Sequence, residues 1–159
     1  MTGNAADSMR QKNRKEGIGE AYMEKDMRLE GNEKIEGAIR ALQKEMTDEM
    51  LAHTLTVIRR RAKENGHFIV SLDPSAGQEG LLMRVIRTDD GKRWFAAYTG
   101  FEEQSRDSNG VMSAFTAEIG KIFQITLDAK GIEGLILNPY NCTLMLSKQL
   151  IQIILGLNT

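Results

Sequence analysis

The sequence has a single cysteine, Cys142, and two prolines among its 159 residues. One thiol cannot close a disulfide within the chain, so the fold must rest on packing and hydrogen bonding. No apolar run reaches the roughly 20 residues that a bilayer-spanning helix needs, and the N-terminus has no apolar segment of the signal-peptide kind. A cytoplasmic chain that does not enter the membrane is the expectation. Charge of either sign is also missing in excess: 21 basic residues face 22 acidic ones, a net charge of -1. No global field steers such a molecule toward nucleic acid or anionic lipid. The two histidines, His53 and His67, form no pair with zinc-ligand spacing. Gly77 and Gly80 lack the Lys and Ser/Thr that would complete a phosphate loop. Neither a cofactor nor a metal is expected.

What is present is an ordinary globular composition, 41% hydrophobic and 27% charged, long enough to bury a sizeable core. Its organising stretch is Leu81 to Phe101, LLMRVIRTDDGKRWFAAYTGF. Asp90-Gly91 is the signal of a two-residue type I′ hairpin, whose central residues both need φ > 0. Counting outward from that turn sets Arg87 opposite Trp94, Val85 opposite Ala96 and Met83 opposite Tyr98. Leu82, Arg84 and Ile86 then share the other face with Phe95, Ala97 and Thr99. Both faces are mostly apolar, which places the hairpin mid-sheet or covered on both sides.

The helices are written in spacing and caps. Asn32 reads as an N-cap, followed by Ile35, Ile39, Leu42 and Met46 on one face. Thr47 reads as the next N-cap. Leu51, Leu55, Ile58 and Ala62 form the stripe of that second helix; Arg59, Arg60, Arg61 and Lys63 lie at its negative end, and Asn65-Gly66 stops it. His67 to Leu72 is a strand closed by Asp73-Pro74. After the hairpin, Thr99 caps a short turn with Glu102 and Glu103, Val111 to Phe115 is a brief strand, and a helix runs from Thr116 toward Lys130-Gly131. Ile132 to Leu137 is a buried strand ending at Asn138-Pro139, Thr143 to Leu146 another, and Ser147 caps a last helix closed by Gly156. The whole predicts one α/β (α+β) domain over 32–159, a mixed, largely antiparallel sheet around the hairpin, flanked by helices. Residues 1–31 form an N-terminal arm, partly disordered or helical.

Trp94 to Thr99, the helix from Thr116, and Gly134 to Pro139 with a closing amphipathic helix resemble the N-terminal domain of the SseB-like proteins. The resemblance covers about Asn32 to Leu155. It implies a compact α/β domain of poorly defined molecular role, without established catalytic residues; the function expected of the chain is that of a non-enzymatic cytoplasmic protein-interaction or regulatory module of the SseB-like kind.

Two sets of residues are candidates for function. Asn138, Tyr140 and Asn141 follow a buried strand, where α/β proteins place ligands, and would edge the pocket of a small-molecule or effector-binding domain, the alternative reading. In the arm, Ile18, Tyr22, Met23, Met27 and Leu29 recur at near-helical spacing, a stripe suited to a protein partner or a second copy of the chain. Other groups read as structural. Cys142 has no base at catalytic spacing and reads as a core thiol. Glu102, Glu103 and Asp107 read as a solvated acidic turn rather than a metal or acid-base site. The arginine run reads as dipole compensation, and no aromatic residue interleaves with it to stack bases, so nucleic acid is not an expected partner.

Overall fold

The computed structural model describes residues 28–72, 83–107 and 113–157. In chain order these form α1 (Asn32–Lys44), α2 (Asp48–Lys63), β1 (His67–Ser71), β2 (Val85–Arg87), β3 (Arg93–Ala97), α3 (Phe101–Gln104), β4 (Ala114–Glu118), α4 (Ile119–Asp128), β5 (Gly134–Leu137), β6 (Leu144–Ser147) and α5 (Lys148–Leu155). The fold is α+β, as the sequence predicts. A four-stranded sheet has the order β2-β3-β5-β6, with β3 and β5 parallel and the other neighbours antiparallel. A separate antiparallel pair joins β1 to β4. It meets the larger sheet through the bridge between Ile69 and Tyr98 and runs on to the hairpin through a second bridge, Leu72 to Met83.

The predicted caps act where expected at two helices. Thr47 Oγ1 accepts from Met50 N at 3.0 Å and Ser147 Oγ from Leu150 N at 3.2 Å, each satisfying an amide that the first turn leaves unpaired. Ile35, Ile39 and Leu42 of α1 and Leu55 and Ile58 of α2 are buried together with Phe95, Ala97, Leu135, Leu137 and Leu146 of the sheet. α4 and α5 add Ile119, Ile122, Phe123, Ile151 and Ile154 to the same core. Strand residues alternate in direction. The other side of β3 therefore carries Ala96 and Tyr98, which pack with Leu29 and Ile69 in a second cluster edged by Ile86 and Phe101. The hairpin is covered on both faces, as its composition requires.

Its register differs from the expected one by a residue. Val85 pairs with Phe95, Ile86 with Trp94 and Arg87 with Arg93. Thr88 and Lys92 close a three-residue loop, with Thr88 N donating to Lys92 O at 2.9 Å and only Gly91 at positive φ (85°). Asp90 does not take the left-handed conformation that a type I′ turn demands; its carboxylate accepts from the Thr88 hydroxyl at 2.5 Å and from Lys92 N at 3.1 Å. Those bonds favour the longer loop. The shift moves Phe95 and Val85 into one core and Ala96 into the other.

Four further expectations are corrected. α1 ends at Lys44, because Glu45 turns extended (φ -141°), and Met46 is left 78% exposed. Asn32 is not a cap: Gly31, at φ 100°, precedes the helix and Asn32 is buried. Thr99 does not cap α3, whose preceding residue Gly100 is extended with no side-chain cap. Finally, the strand before α4 continues through Glu118, since its backbone pairs with all of β1, and the helix starts at Ile119.

Two glycines separate backbone strain from collision. A Cβ at Gly91 meets nothing within 4 Å, whereas at Gly134 it runs into the Leu146 carbonyl of the neighbouring strand. Gly91→Ala is therefore expected to cost about 1 kcal/mol through the left-handed backbone alone. Gly134→Ala is expected to cost about 3 kcal/mol, as β5 and β6 are pushed apart. Chemical denaturation midpoints of the two variants measure this; equal midpoints would contradict the β5–β6 register.

Candidate functional site

Because β3 and β5 run parallel from Trp94 opposite Gly134 to Ala97 opposite Leu137, their carboxyl ends deliver Thr99 and Asn138 to one place. This is the edge at which open α/β sheets bind ligands. Asn138 is completely buried and left-handed (φ 54°), a conformation asparagine tolerates better than most residues. Its Oδ1 accepts from Thr99 N at 2.9 Å, and its Nδ2 donates to Thr99 Oγ1 at 3.1 Å. The Thr99 hydroxyl in turn donates to Glu36 Oε2 of α1 at 2.5 Å. Thr143 Oγ1 donates to Asn138 O at 2.6 Å, closing the turn.

The chain of bonds continues on the other side of Thr99. Asn32 Nδ2 donates to Thr99 O at 3.1 Å and to His67 O at 2.8 Å, and Asn32 Oδ1 accepts from Arg61 Nε at 2.9 Å. Arg61, 7% exposed, also reaches Arg28 O at 3.0 Å and Glu64 Oε1 at 3.2 Å. A buried relay thus runs from α2 through α1 and the exit of β3 to the exit of β5. Such groups are costly to bury unless each finds a partner. Here each named amide and the guanidinium do.

The acidic residues after β3 are not a solvated turn. Glu103 is buried; its Oε2 accepts from Asn141 Nδ2 at 2.9 Å, and its Oε1 lies 3.4 Å from Arg106 Nε. Asp107 Oδ2 is 2.9 Å from Arg84 Nε and accepts from the Tyr98 hydroxyl at 3.0 Å. Burial, reinforced by the Asp107 charge and hydrogen bond, pushes the Tyr98 phenol well above its ordinary range, so it stays a donor. Only Glu102 points to solvent, with a side chain 86% exposed. Among the described residues, no three of His, Cys, Asp and Glu gather in a way that could hold a metal.

The ligand candidates accordingly share one turn, and two of the three are bonded within the protein. Asn138 is consumed by Thr99, Asn141 by Glu103, and Tyr140 stands 44% exposed with its hydroxyl 3.5 Å from Arg84 Nη2. Cys142 is also left-handed (φ 56°), and its thiol donates to Glu36 O at 3.5 Å. Burial pushes that thiol up, and neither histidine contacts it. Of the arm stripe, Ile18, Tyr22, Met23 and Met27 lie outside the described residues. Leu29 is a correction: at 7% exposure it belongs to the second cluster rather than to an open contact surface, so the body begins no later than Arg28.

The arginine run divides three ways. Arg61 enters the relay; Arg60 lines a cavity of about 330 Å³ with Lys34, His53 and Val57. Arg59 edges a smaller, apolar one of about 180 Å³ with Ala52, Leu55 and Ile153. Arg61 lies three residues beyond buried Ile58 and seven beyond buried Thr54, so the helical phase itself signals its burial. Lys34 and His53 carry no local signal, since they meet only when α1 packs on α2.

Comparison with protein-family models, curated proteins and solved structures finds no match to this chain. The resemblance to the SseB-like proteins therefore rests on the motifs from Trp94 to Pro139 and the closing helix.

The relay gives two expected outcomes. Asn138→Ala and Thr99→Val each destabilise by about 2 kcal/mol, and the double variant by clearly less than the sum, with a coupling of about 1 kcal/mol or more. Additive denaturation energies would mean the Asn138–Thr99 bonds carry no stability. Cys142 is expected to react with a thiol reagent at pH 8 far more slowly in the folded chain than in urea. Equal rates would return it to consideration as a nucleophile.

Proposed function

We propose that this chain is a non-enzymatic protein-interaction or regulatory module of the SseB-like kind, working in the cytoplasm. Its partner, in the simplest form a second copy of the chain, is engaged through Ile18, Tyr22, Met23 and Met27. The observation that carries the reading is Leu29. It is the last residue of that apolar stripe, and it is seated on Ala96 and Tyr98, on the sheet face away from the helices. The stripe thus enters the body beside a face whose outer strand offers Met145, 43% exposed between the buried Leu144 and Leu146. Apolar side chains that begin at an anchored residue and continue with near-helical period suit helix-in-groove or arm-exchange recognition.

A pocket edged by the Asn138–Pro139 turn has less support, because the Asn138 amide has both of its polar atoms bonded to Thr99. The absence of a transmembrane element is narrower: among the described residues no helix is long and apolar enough to cross a membrane. That agrees with a partner met in solution.

Light scattering of the full chain and of a chain starting at Arg28 tests the reading. Because the shorter chain keeps Leu29, it is expected to remain folded with a thermal midpoint within a few degrees. Its mass should fall from that of a dimer to that of a monomer. Leu29→Ala, by contrast, should destabilise by about 2 to 3 kcal/mol. Identical masses for the two chains, or unfolding of the shorter one, would remove the interaction role from residues 17–27.

A further inference from the structure

The 330 Å³ cavity between α1 and α2 is bounded by Lys34, His53, Val57, Arg60, Arg61 and Glu64. Four of these, His53, Val57, Arg60 and Arg61, come from α2 at offsets of four, seven and eight from His53, one side of a helix, and Glu64 is its C-terminal cap residue. Two of the lining charges pair: Glu64 Oε1 meets Arg61 Nη1 at 3.2 Å, and the rest of the Arg61 guanidinium is spent on Asn32 and Arg28. For the other three polar residues the balance is different. The side chains of Lys34, His53 and Arg60 have no hydrogen-bond or ion-pair partner among the described residues. The negative end of α2 does not supply one, since the carbonyls of Arg60, Arg61 and Ala62 accept from the amides of Glu64, Asn65 and Gly66.

We propose that this cavity is the binding site of a small phosphorylated metabolite, a phosphate monoester of compact, non-aromatic body, held by Lys34, His53 and Arg60. Lys34, Arg60 and the His53 ring border one hollow whose single carboxylate, Glu64, is already paired with Arg61, and a phosphate monoester returns two negative charges and three acceptor oxygens. A single carboxylate offers one charge and two oxygens, and leaves a cation unmatched. Val57, buried at the wall, gives the ester carbon skeleton an apolar surface. The volume sits at the lower end of the range for small-molecule clefts. Among the described residues no Phe, Tyr or Trp lines it, so a nucleobase would have only the His53 ring and the Arg60 plane to stack on, groups that the phosphate itself engages. The site is independent of the arm and of the Asn138 turn; it gives a regulatory module an effector at its helical layer.

The two histidines supply the experiment, because His53 lies in the cavity and His67, bonded through Nδ1 to Asn65 O, lies outside its lining. Proton NMR of the imidazole resonances of the full-length chain is followed at constant pH and ionic strength while glycerol 3-phosphate is added, with acetate as the monoanion control. The expected result is a saturable shift of His53 alone, with a millimolar or tighter dissociation constant. Affinity should be on the order of tenfold weaker in Lys34→Ala and in Arg60→Ala, each of which removes one charge-assisted contact. Both side chains are exposed, so the variants keep the fold. No shift of His53 by about 10 mM probe, parallel shifts of both histidines, equal response to acetate, or unaltered binding in both variants would each overturn the proposal.

Discussion

The buried amide of Asn32 is the contact on which the rest of this structure depends. It takes two backbone carbonyls, one at the start of β1 and one just past β3, and presents its own oxygen to Arg61 of α2. Three elements distant in sequence are thereby held by one side chain 2% exposed. Unpaired, those carbonyls and the guanidinium would be among the most expensive groups a core can hold. Paired, they fix the position of α1 against both sheets more specifically than apolar contact would, because hydrogen bonds are directional and hydrophobic contact is not.

That relay also decides where activity can reside. By continuing through Thr99 to Asn138 it fills the carboxyl edge of the parallel strands with satisfied polar groups, so the place where open sheets usually bind their ligands is here a joint. Glu103 with Asn141, and Asp107 with Arg84 and Tyr98, extend the same economy to the neighbouring loop. Among the described residues two buried side-chain atoms, Trp94 Nε1 and Glu103 Oε1, lack a hydrogen bond, while cations on the helical layer and apolar side chains on the opposite sheet face are exposed. Interaction and effector binding are the functions such a distribution favours.

Much of the fold was legible because local signals agreed. Thr47, Ser147, Asn65-Gly66 and Gly156 mark helix boundaries by backbone chemistry that acts within one turn. What escaped was settled between elements. The hairpin register turned on whether Asp90 joins Gly91 at positive φ, and the bonds from the Thr88 hydroxyl and Lys92 N to its carboxylate go with the conformation in which it does not. Asn32 and Thr99 look like caps in isolation, and both are instead drawn into the interior by partners 67 and 39 residues away in sequence. Glu103 and Asp107 read as surface residues because their partners, Asn141, Arg84 and Tyr98, come from other strands and turns. The candidate site was legible as a turn, and the bonding of Asn138 to Thr99 and of Asn141 to Glu103 was not.

The junction between the two sheets has a kinetic side. Ile69 N donates to Tyr98 O at 2.8 Å and Tyr98 N to Ile69 O at 2.9 Å, a reciprocal pair that, with Arg84 N donating to Ser71 O at 2.9 Å, joins the β1–β4 ribbon to the larger sheet. Each amide is buried beneath the other's strand, so neither can meet solvent hydroxide unless the ribbon swings away. Hydrogen exchange at these two amides therefore reports one event, the parting of ribbon from sheet, and it separates that motion from fraying at the ends of β1.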